Sequence, residues 1–191
     1  MRRRALVLPV AALSALLVAG PGGAADDVGT GRFQIHTAYS ELIDGVYYLN
    51  ADIEYSLDEP ALKALESSLP LTIKVEIELI RDRRFVWDET VARLEHVDQI
   101  AFHPLSQRYL VREMGTGEVE SFASYRAAVA RLGQVSDVPL IDSRLLEADS
   151  KYRVRIRASL DLEEYSTPLR VYAKFWQDWT ITSEWYEWVL R

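Results

Sequence analysis

The chain has 191 residues, 49% of them hydrophobic and 27% charged, with a formal net charge of −7. These are globular proportions, too apolar for a disordered chain and too charged for a polytopic membrane protein. The absence of cysteine excludes disulfides, thiolate zinc sites, iron–sulfur clusters and cysteine nucleophiles. The acidic balance argues against a nucleic-acid binder held by phosphate neutralisation.

The first 25 residues read as an address. Met1-Arg2-Arg3-Arg4 is a basic start, Ala5 to Gly20 is apolar, and Pro21 to Ala25 is a run of small residues. This is the three-part secretory signal, with Gly23 and Ala25 at the small-residue positions and cleavage expected after Ala25. The alternative is a retained anchor, but 16 apolar residues interrupted by Pro9 fall short of the roughly 20 that a span needs. Cleavage removes three arginines and no acid, so the mature 166 residues go from −7 to −10 and keep no membrane span. Export without cysteine points to a bacterial periplasm rather than a eukaryotic secretory route.

Residues 26–32 read as a flexible leader, and residues 33–191 as one domain. Phe33, Ile35 and Thr37 alternate with Gln34, His36 and Ala38 as a first strand, and Asp44-Gly45 is a hairpin signal. Tyr47, Leu49, Ala51, Ile53, Tyr55 and Leu57 then form the apolar face of a second strand. A short helix follows, capped by Asp58 with Pro60 in its first turn, and Pro70 is expected to end it. Leu71, Ile73, Val75, Ile77 and Leu79 alternate with polar residues as the cleanest strand. Arg81 to Arg84 is the turn after it, and Phe85 to Val97 is the returning strand.

Ile100 to His103 and Arg108 to Glu113 read as one interrupted strand or two short ones, with Pro104 marking an edge or a bulge. Gly115-Thr116-Gly117 is a turn. Phe122 to Leu132 is a second helix, capped by Ser121 and closed by Gly133. Pro139 to Asp142 is a short strand. Tyr152 to Leu160 alternate as another, Leu169 to Phe175 is apolar, and Trp179 to Leu190 ends the chain as strand. About eight strands with two short helices predict an antiparallel β-sandwich, immunoglobulin-like in general architecture; a closed barrel is the alternative.

No motif assigns a reaction. His36, His96 and His103 have no metal-ligand spacing and read as ordinary surface histidines. There is no G-x-S-x-G elbow, and the two Gly-Thr-Gly segments are turn glycines rather than phosphate cradles. No catalytic residue, cofactor or metal is therefore expected. Arg153, Arg155 and Arg157 share one strand face as a basic ladder. The ladder is either a contact for an acidic partner, phosphate or lipid headgroup, or a solvated face paired with neighbouring acids such as Glu76 and Glu78.

Four of the five tryptophans lie in the last 16 residues, at Trp176, Trp179, Trp185 and Trp188. They could pin the last strand across the core or line a partner or ligand groove. Trp185 and Trp188 have opposite strand parity, so one uniform strand cannot bury both on one face. Trp179 and Trp185 are expected to be buried, with Trp185→Ala costing about 3–5 kcal/mol if it is core. The candidate contacts are thus Trp176, Trp185, Trp188, Arg153, Arg155 and Arg157.

Asp178-Trp179, Ser183, Trp185-Tyr186 and Trp188 close the chain, with Leu160-Asp161-Leu162 and Pro168-Leu169 before them. Trp87-Asp88-Glu89-Thr90 and Tyr109-Leu110-Val111 lie upstream. This ensemble resembles DUF4390, a bacterial family of exported proteins of unknown function. The resemblance implies no activity, cofactor or catalytic residue. It does imply an envelope signalling role beside a membrane sensor kinase. The leading expectation is a periplasmic, non-enzymatic module that binds another envelope protein. A binder of a small apolar ligand or lipid between the sheets is the alternative, and an enzyme with an unrecognised site is the third.

Overall fold

The computed structural model describes residues 31–84, 86–161 and 181–191. Among them nine strands form two antiparallel sheets, and two short α-helices sit on the flanks. The three-stranded sheet has the order β1 (Arg32–Ile43), β2 (Val46–Ser56), β7 (Gln134–Asp142). The six-stranded sheet has the order β6 (Val119–Phe122), β5 (Arg108–Glu113), β4 (Glu89–His103), β3 (Leu71–Asp82), β8 (Lys151–Asp161), β9 (Tyr186–Val189). Both sheets keep free edges, so the described strands do not close a barrel.

One core lies between the sheets. Leu49, Ile53 and Tyr55 from β2 meet Ile73, Val75 and Ile77 from β3 and Val154, Ile156 and Ala158 from β8. These are the alternating apolar faces of the three cleanest strands, buried because period-2 patterning puts every second side chain on one side of a sheet. Asp44 and Gly45 both have positive φ, as the tight turn between β1 and β2 requires.

The first strand departs from simple alternation. Its register on β2 slips between Ile35 and Thr37, so His36 is an extra residue in a β-bulge. The slip reverses parity: Phe33 and Ala38 are buried, whereas Thr37 is exposed. The first helix, α1 (Glu59–Glu66), has the expected Asp58 cap, whose side chain accepts from the Ala61 N–H at 2.9 Å. Its end is not set by Pro70. Ser68 adopts a left-handed conformation, and the Leu69 N–H donates back to the Ala64 carbonyl, closing the helix two residues before the proline acts.

Three further boundaries move. β3 continues through Arg81 and Asp82, and β4 runs unbroken from Glu89 to His103, with Pro104 in the turn beyond it. Phe122 belongs to β6, where it pairs with Tyr109, so Ser124 rather than Ser121 caps the second helix, α2 (Tyr125–Leu132). β7 begins at Gln134, five residues before the predicted strand, and carries Pro139 on the sheet's outer edge, where no ladder donor is needed. The predicted strand Leu169 to Phe175 and the residues Trp176 and Trp179 lie outside the described residues.

Candidate functional site

The basic ladder sits on the outer face of the six-stranded sheet, between β3 and β9. Register places Glu76 opposite Arg157 and Glu78 opposite Arg155. Arg157 reaches Glu76 at 2.5 Å and Arg155 reaches Glu78 at 2.6 Å. Arg153 binds Asp82, Asp88 and Glu187 at 2.6–2.7 Å. Each guanidinium is engaged by carboxylates, so the face is charge-paired rather than an open cationic patch. Burial would raise the pKa of Glu78, but Arg155 and Arg93 outweigh it and hold the carboxyl below its ordinary value.

Trp185 covers this ladder. Its ring lies 4.5 Å from the Arg155 guanidinium and 4.6 Å from that of Arg157. It is half-buried on the outer face and is not part of the core. The cause is a second irregularity. Ser159 lies three positions from Ile156, but their partners Thr182 and Tyr186 lie four positions apart. The extra residue turns Trp185 outward and brings Tyr186 and Trp188 to the core side, while Val189 faces solvent. Trp188 packs against the core and donates its indole N–H to Ser40 of β1 at 3.0 Å, tying the two sheets together.

Trp185→Ala is therefore expected to cost about 1–2 kcal/mol, the scale of two cation–π contacts at partly exposed arginines. Denaturant unfolding checks it: a loss above about 3 kcal/mol would restore the core reading. Beside Trp185 is an open cleft of about 410 Å³ between the start of β1 and residues 182–186. Arg32, Gln34, Thr182 and Glu184 line it along with Phe33 and Ile35, so it is not an apolar cavity for a lipid tail.

A second feature assembles at one pole of the sandwich. Ser143 donates its backbone N–H to the Gly45 carbonyl, joining the β1–β2 turn to the 3₁₀ turn Ser143–Leu145. Glu147 then binds Arg81, and Arg153 links Asp82, Asp88 and Glu187. This chain of bonds places the β1–β2, β3–β4 and β7–β8 connections and the end of β9 side by side. Each presents exposed apolar side chains: Leu42 and Ile43, Val86 and Trp87, Leu145, and Val189. Trp87 is 78% exposed and Leu145 72%.

The third feature is a polar pocket of about 270 Å³ lined by His96, Glu113, Arg131, Gln134 and Ser136. His96 is not the ordinary surface histidine that its lack of ligand spacing predicts. Its ring is instead mostly buried, and it bonds Asp98 on the same strand face at 3.0 Å. Asp98 is itself buried, and burial together with its charge raises the pKa of Tyr55 on the opposite sheet. Among the described residues, no group of His, Asp and Glu is arranged to hold a metal ion, and no helix is long and apolar enough to cross a membrane.

The family model for a domain of unknown function, DUF4390, matches residues 31–189. The chain belongs to the DUF4390 family. The match starts one residue before β1 and ends with β9, so both sheets, the apolar pole and the polar pocket lie within the DUF4390 domain. No curated protein and no solved structure is significantly similar to the chain.

The His96–Asp98 pair gives the DUF4390 domain a pH-dependent stability term. Burial of the ring would lower its pKa, but the hydrogen bond and charge of Asp98, with Glu113 adding and Arg131 opposing, leave it raised. A raised folded-state pKa means that the contribution is fully present below the unfolded value of about 6.5 and is lost as pH rises through the folded value. His96→Gln is expected to destabilise the protein more at about pH 5.5 than at about pH 9. Denaturant midpoints of both proteins at the two pH values check this; an equal difference at both would contradict it.

Proposed function

We propose that this protein is an exported, non-enzymatic interaction module of the bacterial periplasm that docks another envelope protein through the apolar pole of its sandwich. The observation that carries the reading is the gathering of Leu42, Ile43, Val86, Trp87, Leu145 and Val189 at that pole from separate segments. Single exposed apolar residues are ordinary, but a group of them rimmed by paired charges has the composition of a binding surface. Tryptophan is among the side chains most enriched in binding hot spots, and Trp87 stands exposed in the connection between β3 and β4. A rigid sandwich presenting loops at one end is a common recognition scaffold. A sensor domain is the partner class that the family resemblance implies. The secretory pattern of residues 1–25 supports export.

A photo-crosslinking residue placed at position 87 should trap a discrete envelope protein in intact cells. The same residue at position 105, in the exposed turn at the opposite pole, should not. Leu145→Ser should weaken the adduct at position 87. No adduct at 87, or the same adducts at both positions, would sink the proposal. The mature protein should begin at Asp26; an intact Met1 would refute cleavage, and a cytoplasmic fraction would refute export.

A further inference from the structure

We infer that the open cleft at the start of β1 is a docking site for an extended peptide segment of a partner protein, which adds as a further strand to the free edge of the three-stranded sheet. The cleft, of about 410 Å³, is lined on one wall by four consecutive residues of β1, Arg32, Phe33, Gln34 and Ile35. Successive side chains of a strand point to opposite faces, so a cavity on one face is lined by alternate residues. Lining by four in succession places the cleft along the edge of the strand, where its backbone N–H and C=O groups point. On the facing wall, Glu184 and Trp185 fall between the Ser159–Thr182 bridge and β9, outside the ladder with β8. An occupant that exchanges main-chain hydrogen bonds with β1 fits this geometry.

The other sheet edges among the described strands are blunted. β7 carries Pro139 and two register shifts against β2. β6 and β9 are four residues each, and Arg108 donates to the Ser121 carbonyl of β6 at 2.8 Å. β1 has twelve residues and no proline, and Arg32 and Glu41 are its only Lys, Arg, Asp or Glu residues. An edge without such devices is a template for another strand. Its one interruption, the bulge at His36, lies just past the cleft, so the regular edge there runs from Arg32 to Ile35. At about 3.3 Å per residue that is about 13 Å, room for about four residues of a partner. Leu42 and Ile43 stand at the other end of the same strand, so this surface is separate from the apolar pole.

The lining specifies the pattern of the partner segment. Phe33 is buried and Ile35, Trp185 and Tyr186 are half-buried, whereas Arg32, Gln34 and Glu184 are exposed. The alternation of β1 continues onto a strand laid beside it, so the segment alternates apolar with polar residues. Trp185 is held by Arg155 and Arg157, which fixes that wall before anything binds. Among the described residues neither Arg32 nor Glu184 has an ion pair or a side-chain hydrogen bond. Their charges cancel, so net charge does not select the occupant and backbone pairing does. Arg32, on the edge strand itself, adds a cross-strand preference for an acid opposite it.

The test is an amide chemical-shift titration of the protein with the peptide acetyl-Thr-Val-Thr-Val-Glu-amide, whose alternation and terminal acid match this edge. It should bind with a Kd of about 1 mM or tighter, with shifts centred on residues 32–35 and 184–186. A fully N-methylated version keeps every side chain and loses every backbone donor, and it should bind at least about tenfold more weakly. Arg32→Glu should shift the preference from this peptide to the one ending in Lys, whereas Glu118→Gln, an exposed acid in the β5–β6 turn, should leave binding unchanged. No shifts at either wall by about 5 mM peptide, or equal binding of the N-methylated version, would overturn the assignment. So would edge shifts produced by self-association of the protein alone, which would give the edge to a second copy of the chain.

Discussion

Gly133→Ala should destabilise the protein by about 3 kcal/mol or more, at or beyond the upper end of ordinary overpacking costs. The reason is not backbone conformation, because the φ of Gly133 is −69° and any residue adopts it. The reason is proximity. A Cβ built on Gly133 would lie 2.1 Å from the Ile53 carbonyl oxygen and 3.3 Å from its carbon. Both are main-chain atoms, so no side chain can rotate away. The Ile53 N–H also donates to the Gly133 carbonyl at 2.9 Å, which holds the end of α2 against β2. Relieving the clash would shift α2 and disturb Ala128 and Leu132, both buried in the core. Urea unfolding of the variant measures the loss, and a value below about 1 kcal/mol would contradict this close approach.

The second large effect is expected in the central sheet. Ile156 is fully buried on β8, opposite Ile77 of β3 on one side and Tyr186 of β9 on the other. Ile156→Ala removes three buried carbons from a site enclosed by strands on both sides, where little collapse can fill the cavity. The expected cost is about 2–5 kcal/mol. Val189→Ala, at an exposed position on β9, should change stability by less than about 0.5 kcal/mol. Parallel unfolding curves separate the two. Equal losses would mean that β8 and β9 do not pack as described.

Trp185 and Trp188 show how the sequence both informs and misleads. Their opposite parity was visible, and so was the need for either an exposed ring or a bulge. Which tryptophan turned outward was not. That depended on the extra residue between Thr182 and Tyr186, whose cost depends on the fit to β8 and not on the local sequence. The same holds at His36. A residue count along β1 predicts Thr37 inside, and the bulge puts Ala38 there instead.

The cap of α2 is a related case. Ser121 and Ser124 are both good caps, and the choice falls to Ser124 because Phe122 pairs with Tyr109 in β6. The arginine ladder was more legible. Arg155, Arg157, Glu76 and Glu78 alternate on two clean strands, so cross-strand pairing could be anticipated from spacing alone. The polar pocket was not legible. It joins His96 to Ser136 across four elements, and no short spacing records that meeting.

By itself, the sequence determined the strands β2, β3 and β8, the Asp44-Gly45 turn and the antiparallel two-layer character of this DUF4390 domain. Alternation and turn chemistry are local, and each acts over a few residues. Tertiary structure alone decided the bulges, the outward turn of Trp185, the apolar pole and the polar pocket around His96. Each of these depends on which distant strand lies alongside, and that contact is made only when the two sheets close on one core.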